Sequence, residues 1–436
     1  MLRLVFGDLL DNLRIWLGAA LIAAVAGVVG AVVASDIQTA VTVGGNAGLA
    51  LYGISGTVIL FTAISTVVVL GAVTNLVVTL HQRSYALWQL VGLGPGEVRA
   101  VVQAQIAVMA LLGGAIGSVV AIPTLQPLFA FCFADVPELR DVTPQYGPAA
   151  AAAVVAYVLL TAVTGSMRGA RRAGRTPAIQ ALREPDLPNR GMSRARWICA
   201  GALLLTLSSV VFSLPGSVPD KAGTALMLIG PLTAALLTAL SPVFIAPLLR
   251  AWTAVVPPSA SSWWHLARQA TAHRAGQSAA VINPLVVAMA LAGGLYASHG
   301  TTSAGEALST GGVVLLLGGP LLLSLIGATV TLFMAGRQRN HEVALLIASG
   351  GTTATILSSA AAEALIYVTT ATMLALPPVL TTGLLGAWAL DVPPSLGLGA
   401  VATVMVTALT LIVSAVVLSA LLALRKNVVR TLPAGT

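Results

Sequence analysis

Charge is what this chain has least of. Only 8% of its 436 residues are Asp, Glu, Lys or Arg, against about 25% in an ordinary soluble domain, which excludes a water-soluble enzyme. Lysine is nearly missing, with Lys221 and Lys426 the two copies. There is no GxxxxGKS/T stretch and no lysine placed to complete one, so the chain is expected to hydrolyse no ATP of its own. Cysteine is as scarce. Cys132 and Cys199 fall in separate segments, and no CxxC, HExxH or histidine cluster occurs, so neither a disulfide nor a metal site is expected. No nucleophile–base pattern is visible either. The expected set of catalytic residues is empty, and so is the set of cofactors held by this chain.

What is present is apolar and small: 57% of residues are hydrophobic, 43 are Gly, and aromatics make up 5%. Small residues let helix backbones approach closely in lipid. Apolar runs bounded by charge or by Pro/Gly clusters lie at about 15–34, 51–80, 101–122, 148–166, 197–214, 223–249, 278–298, 311–336, 358–380 and 397–424. These are ten candidate spans. All read as helices, because lipid leaves no other partner for backbone polar groups. The first reads as a retained helix rather than a cleavable signal, since Asp8 and Asp11 stand where a basic region belongs and no A-x-A site follows.

An even number of spans puts both termini on one side. That side carries 20 of the 22 Lys and Arg, and only Arg140 and Lys221 fall opposite. The positive-inside rule then predicts cytoplasmic termini. The formal charge of +8 is a topology signal whose partners are anionic lipid headgroups, not nucleic acid. Arginine in place of lysine, with abundant Ala, Val and Gly, points to a GC-rich bacterial genome and hence to a bacterial plasma membrane. Two amphipathic stretches precede membrane entry, at 2–14 and 263–274. Each is open to two readings: a helix lying in the interface, or the wet end of the span that follows.

The chain also resembles itself. His81–Gly92 aligns with Arg339–Gly350, and one constant offset relates Gly92 to Gly350, Ser84 to Glu342 and Gln105 to Glu363. Residues 1–166 and 251–436 then read as two four-span units. A basic linker (167–196) and two linking spans (197–250) join them. A parallel repeat makes an approximate two-fold axis along the membrane normal.

The Arg/Glu start, the run Val343–Gly350, the polar turn after it and Glu363 early in the next span resemble the FtsX-like permeases. These are the membrane subunits of MacB-type (type VII) ABC transporters. Tyr85–Gly92 with Gln105 is similar to a weaker copy. The resemblance implies a ten-span permease driven by a separate ABC ATPase, two copies per chain, which holds the ATP and Mg. It implies ATPase-coupling roles for Arg83, Ser84, Tyr85, Gly92, Glu97, Arg339, His341, Glu342 and Gly350, and intramembrane support from Gln105 and Glu363. The expected activity is export or extraction of an amphipathic drug, peptide or lipid-like molecule, a class that includes antibiotic resistance. Two alternatives stay open: a non-transporting relay or sensory module that meets an extracytoplasmic partner through 123–147, and an ATP-independent carrier. Asn75 and Thr74 either line a cavity or bond between helices. Gly113 and Gly117 form a GxxxG.

Overall fold

The computed structural model describes residues 13–134, 136, 139–140, 142–175, 192–214, 219–257, 261–302 and 308–425, and the side chains of 336–345 and of Arg83 lie outside that description. Among the described residues thirteen α-helices follow in order: α1 (Leu13–Val43), α2 (Gly45–Leu80), α3 (Gln82–Leu90), α4 (Pro95–Cys132), α5 (Pro148–Arg175), α6 (Arg194–Phe212), α7 (Pro219–Thr253), α8 (Ser262–His273), α9 (Ala275–Thr302), α10 (Thr310–Val313), α11 (Gly319–Ala348), α12 (Thr353–Leu390) and α13 (Leu398–Arg425). A π-helical turn, Val314–Gly318, joins α10 to α11. No strand occurs among the described residues. Ten segments are long and apolar enough to cross a bilayer, and the chain is an all-α polytopic membrane protein. With crossings alternating in direction, α2, α5, α7, α11 and α13 finish at one end of the bundle, the near end. The other crossings, α1, α4, α6, α9 and α12, finish at the far end.

Several helices outrun the apolar runs read from sequence. α4 continues through Pro123 and Pro127 to Cys132, and α12 through Pro377 and Pro378 to Leu390. Proline inside a lipid-embedded helix is tolerated because neighbours re-satisfy the freed carbonyls. The loop expected at 123–147 therefore begins only at Phe133. Likewise α5 carries its helix over 167–175, the first part of the expected linker. Residues 2–12, most of the first amphipathic stretch, and 176–191 lie outside the described residues. The second amphipathic stretch is a helix of its own, α8. It breaks from α9 at Arg274 (φ −98°, ψ 38°) and is held by Trp264, Ala267 and Thr271, all buried.

The helices pack as two similar sets. In one, α1 lies on α2, α4 and α5, α4 lies on α5, and α2 lies on α5; in the other, α9 lies on α11, α12 and α13, α12 on α13, and α11 on α13. The sets meet where α2 crosses α11, with α1 also on α11 and α2 also on α9. At that crossing Ser65 Oγ and Ser324 Oγ lie 2.8 Å apart. Val69 fills the space that a Cβ on Gly327 would need. Residues meeting their own counterparts, or the immediate neighbours of those, are what a two-fold axis requires.

Close approach by small residues recurs within each set. A Cβ on Gly113 or Gly117 of α4 would run into the backbone of α1 at Ala20 or Ala24, so the GxxxG is a packing face. Asn75 Nδ2 donates to the Gly165 carbonyl at 3.3 Å, joining α2 to α5. Thr74 Oγ1 bonds back to its own helix at Leu70 O.

The linking helices pack mainly on the second set, although α7 also touches α2. α7 lies on α9 and α12, and α6 lies on α7. As a result 89% of the apolar window of α9 is buried, against 44% for its counterpart α1, whose Leu17 and Leu21 remain exposed.

Candidate near-end coupling elements and twin clefts

Two helix ends at the near end are closed in the same way. After α3, Gly92 adopts φ +103°, its N–H donates to Gln89 O at 3.1 Å, and the Leu93 N–H donates to Trp88 O at 3.1 Å. After α11, Gly350 adopts φ +88°, its N–H donates to Ile347 O at 3.0 Å, and the Gly351 N–H donates to Leu346 O at 2.7 Å. Both are Schellman closures, which place a left-handed residue just past the helix and favour glycine there. The next helix starts at Pro95 in one case and Thr353 in the other, the same offset that separates the two glycines. Nothing lies within 4 Å of either cap glycine's Cβ position, so both glycines face open space, although the first turn rests on the end of α5 where Gly174 meets Pro95.

The segments leading into these turns differ. Between α2 and α3 the helix breaks at His81 (φ −97°, ψ 3°), whereas α11 runs unbroken from Gly319 to Ala348. α3 is held by an aromatic ladder: Trp16 to His81 at 5.2 Å, His81 to Tyr85 at 6.0 Å and Tyr85 to Trp88 at 5.4 Å between ring centroids. Gln89 Nε2 fixes its other side by donating to Ala173 O at 2.9 Å.

Tyr85 is fully buried and anchors α3 through its ring neighbours. Glu97 is also structural, because its Oε2 accepts the Gly94 N–H at 2.8 Å and caps the start of α4. Ser84 is half-buried on α3. Arg339, His341 and Glu342 sit on the last turns of α11, and their side chains, like that of Arg83, lie outside the described residues.

Just inside the near end each set encloses a narrow cleft with room for no more than a water or two. The first is lined by Trp16, Ala19 and Ala23 of α1, Val73, Thr74 and Val77 of α2, and Met109 of α4. The second is lined by Arg274, Gln277 and Val281 at the entry to α9, Thr331, Leu332 and Ala335 of α11, and Tyr367 of α12. Each of these seven positions of the first cleft has its counterpart in the second at the offset of the repeat, whereas Leu70, Ile106, Ala110 and Ala162 line the first cleft alone and Leu76 of α2 reaches into the second. The two clefts thus occupy the same place in the two sets with opposite chemistry. Trp16 stands where the other has Arg274, Ala19 where it has Gln277, Val73 where it has Thr331, and Met109 where it has Tyr367.

Glu363 is buried and, with Arg274, lines the second cleft. Its counterpart Gln105 is fully buried. Arg274, Gln277, Thr331 and Tyr367 were not among the residues expected from sequence. Applying the register of the repeat to the whole of both sets, rather than to one segment, would have found them.

Chemically, the polar cleft brings an acid and a base to the level of the near-end turns. Among the described residues, no group of three His, Cys, Asp or Glu side chains is placed to hold a metal. Cys132 and Cys199 are both free. Comparison with protein-family profiles and with curated proteins finds no match to this chain.

Proposed function

We propose that this chain is the permease subunit of an ATP-driven transporter whose ATPase is a separate two-fold partner seated at the near end, in the cytoplasm of a bacterium. The observation that carries this reading is the pair of matching glycine-closed turns at the near end, one per repeat, each with its cap glycine exposed. A two-fold partner needs two such seats. The resemblance of 339–350 and 81–92 to the coupling segments of FtsX-like permeases supports the same reading.

ATP-driven closure of the partner would press the two turns toward each other. On the α11 side the push enters a continuous helix; on the α3 side it enters a short helix tied to Trp16. Partner contacts that favour one arrangement of the bundle over another would supply the work, since a ligand shifts a conformational equilibrium only by its differential affinity. The cargo most compatible with short outer loops is an amphipathic drug, peptide or lipid-like molecule taken from the bilayer.

A second reading, a relay that moves no solute, is favoured by one feature. The far-end loop is tied to α1, with the Gln145 N–H donating to Thr39 Oγ1 at 2.9 Å and the Gly147 N–H to Gln38 Oε1 at 2.8 Å. Motion of α1 would therefore carry that surface with it.

Co-expression with candidate ATPases, followed by co-purification and vanadate-sensitive ATPase assay, tests the proposal. The wild type is expected to retain the ATPase, and Glu342→Ala or Gly350→Trp to lose binding or activity. Solute flux in liposomes without any ATPase would overturn it. ATPase activity without flux would favour the relay.

A further inference from the structure

The far end of α1 holds a carboxyl that this scheme does not use. Asp36 is fully buried, together with Ser35, Thr39 and Ser55. Its surroundings are apolar, with Val33 and Ala40 one helical turn away on the same face of α1, and Phe129 of α4 and Leu315 of the π-helical turn in the same cluster. Its Oδ1 has no hydrogen-bond partner among the described residues, and neither does Ser35 Oγ.

Its Oδ2 lies 2.6 Å from Ser55 Oγ on α2. The same hydroxyl lies 2.7 Å from the Leu51 carbonyl oxygen. A hydroxyl carries one proton, so with the carboxyl ionised both contacts must share it in a three-centre bond, weaker than two separate bonds. If the carboxyl is the neutral acid, the count closes: Asp36 donates to Ser55, and Ser55 donates to Leu51. Burying an ionised carboxylate with a single partner is costly, which argues the same way. Cys132, at the end of α4, is the other titratable group within electrostatic reach. The loop acids Asp135, Glu138 and Asp141 lie outside the described residues.

We propose that Asp36 is a proton-binding site, holding its proton while the far ends of α1 and α2 are closed on each other and releasing it to water when they part. On release the Asp36 O–H bond breaks, the proton passes to an entering water, and the hydrated carboxylate leaves Ser55 donating to Leu51 alone. Because the closed state binds the proton more tightly, acid on the far side favours closure and alkali favours opening. The second set has no such site: the counterpart of Asp36 in the register of the repeat is Gly294, which packs against Gly230 of α7.

The test uses the full chain in lipid nanodiscs without any ATPase, so it fails or succeeds independently of the transporter reading. Infrared difference spectra of wild type minus Asp36→Asn at mildly acidic pH should show a protonated-carboxyl C=O band present only in the wild type. Loss of a carboxylate band instead overturns the proposal. In a Cys199→Ser background, labelling of buried Cys132 should rise several-fold more steeply with pH in the wild type than in Asp36→Asn. Equal labelling at every pH also overturns it. If Asp36→Asn does not fold, Ser55→Ala should shift the protonated-carboxyl band by removing its acceptor, and an unmoved band counts against the site.

Discussion

At the scale of single residues, glycine carries two different duties here and the two predict different phenotypes. Gly117 sits where α4 meets the backbone of α1, and an added methyl would overlap the Ala24 carbonyl. Gly117→Ala should cost about 1–3 kcal/mol through forced separation of the two helices, read as a lower apparent Tm in detergent. Gly350 has open space around it but a left-handed backbone. Gly350→Ala should cost roughly 1–2 kcal/mol locally and leave the Tm of the bundle nearly unchanged, while weakening any partner seated on that turn. Gly350→Asn should be milder, because asparagine tolerates the left-handed region. A titration of partner binding across the three proteins checks the order wild type, Asn, Ala.

At the scale of elements, α3 and the end of α11 occupy matching places but are held differently. Trp16 is fully buried and starts the ladder that fixes α3. Trp16→Ala should therefore destabilise the first set, by at most about 3–5 kcal/mol, and free α3 to proteolysis after Arg83. Arg274→Ala, at the equivalent position, should leave stability closer to wild type and alter coupling instead, seen as a changed ratio of flux to ATP hydrolysed. How much of this was legible beforehand follows from the physics of each element. The ten spans could be read because lipid imposes a run of apolar residues on each. Their ends could not, because Pro123, Pro127, Pro377 and Pro378 are loop signals in water and ordinary helix residues in a bundle. The register of the repeat was visible through Gly92 and Gly350, whose backbone conformation admits little else. The clefts were not visible, since Trp16 facing Val73 and Arg274 facing Thr331 become pairs only when three helices converge. The burial of Tyr85 was hidden for the same reason, since the ring ladder it joins, with Trp16, His81 and Trp88, comes together only in the fold.

At the scale of the whole molecule, the two sets share one crossing, and it offers a direct handle on motion. Ser65→Cys with Ser324→Cys, in a background lacking Cys132 and Cys199, should form an internal cross-link on mild oxidation, seen as a gel mobility change that reductant reverses. If transport requires α2 and α11 to part at that level, the cross-linked chain should keep its partner and lose flux. Retained flux would place the moving parts elsewhere. The crossing also has a feature that two separate copies of one chain could never have: Val69 projects into the hollow left by Gly327, a large residue facing a small one at equivalent addresses. In a homodimer both positions would be large or both small. Fusing the halves into one polypeptide gives each a handedness, a left and a right that can be told apart. Any two-fold partner that settles across them inherits the distinction, so its two halves, identical in sequence, acquire unequal neighbours and hence unequal rates.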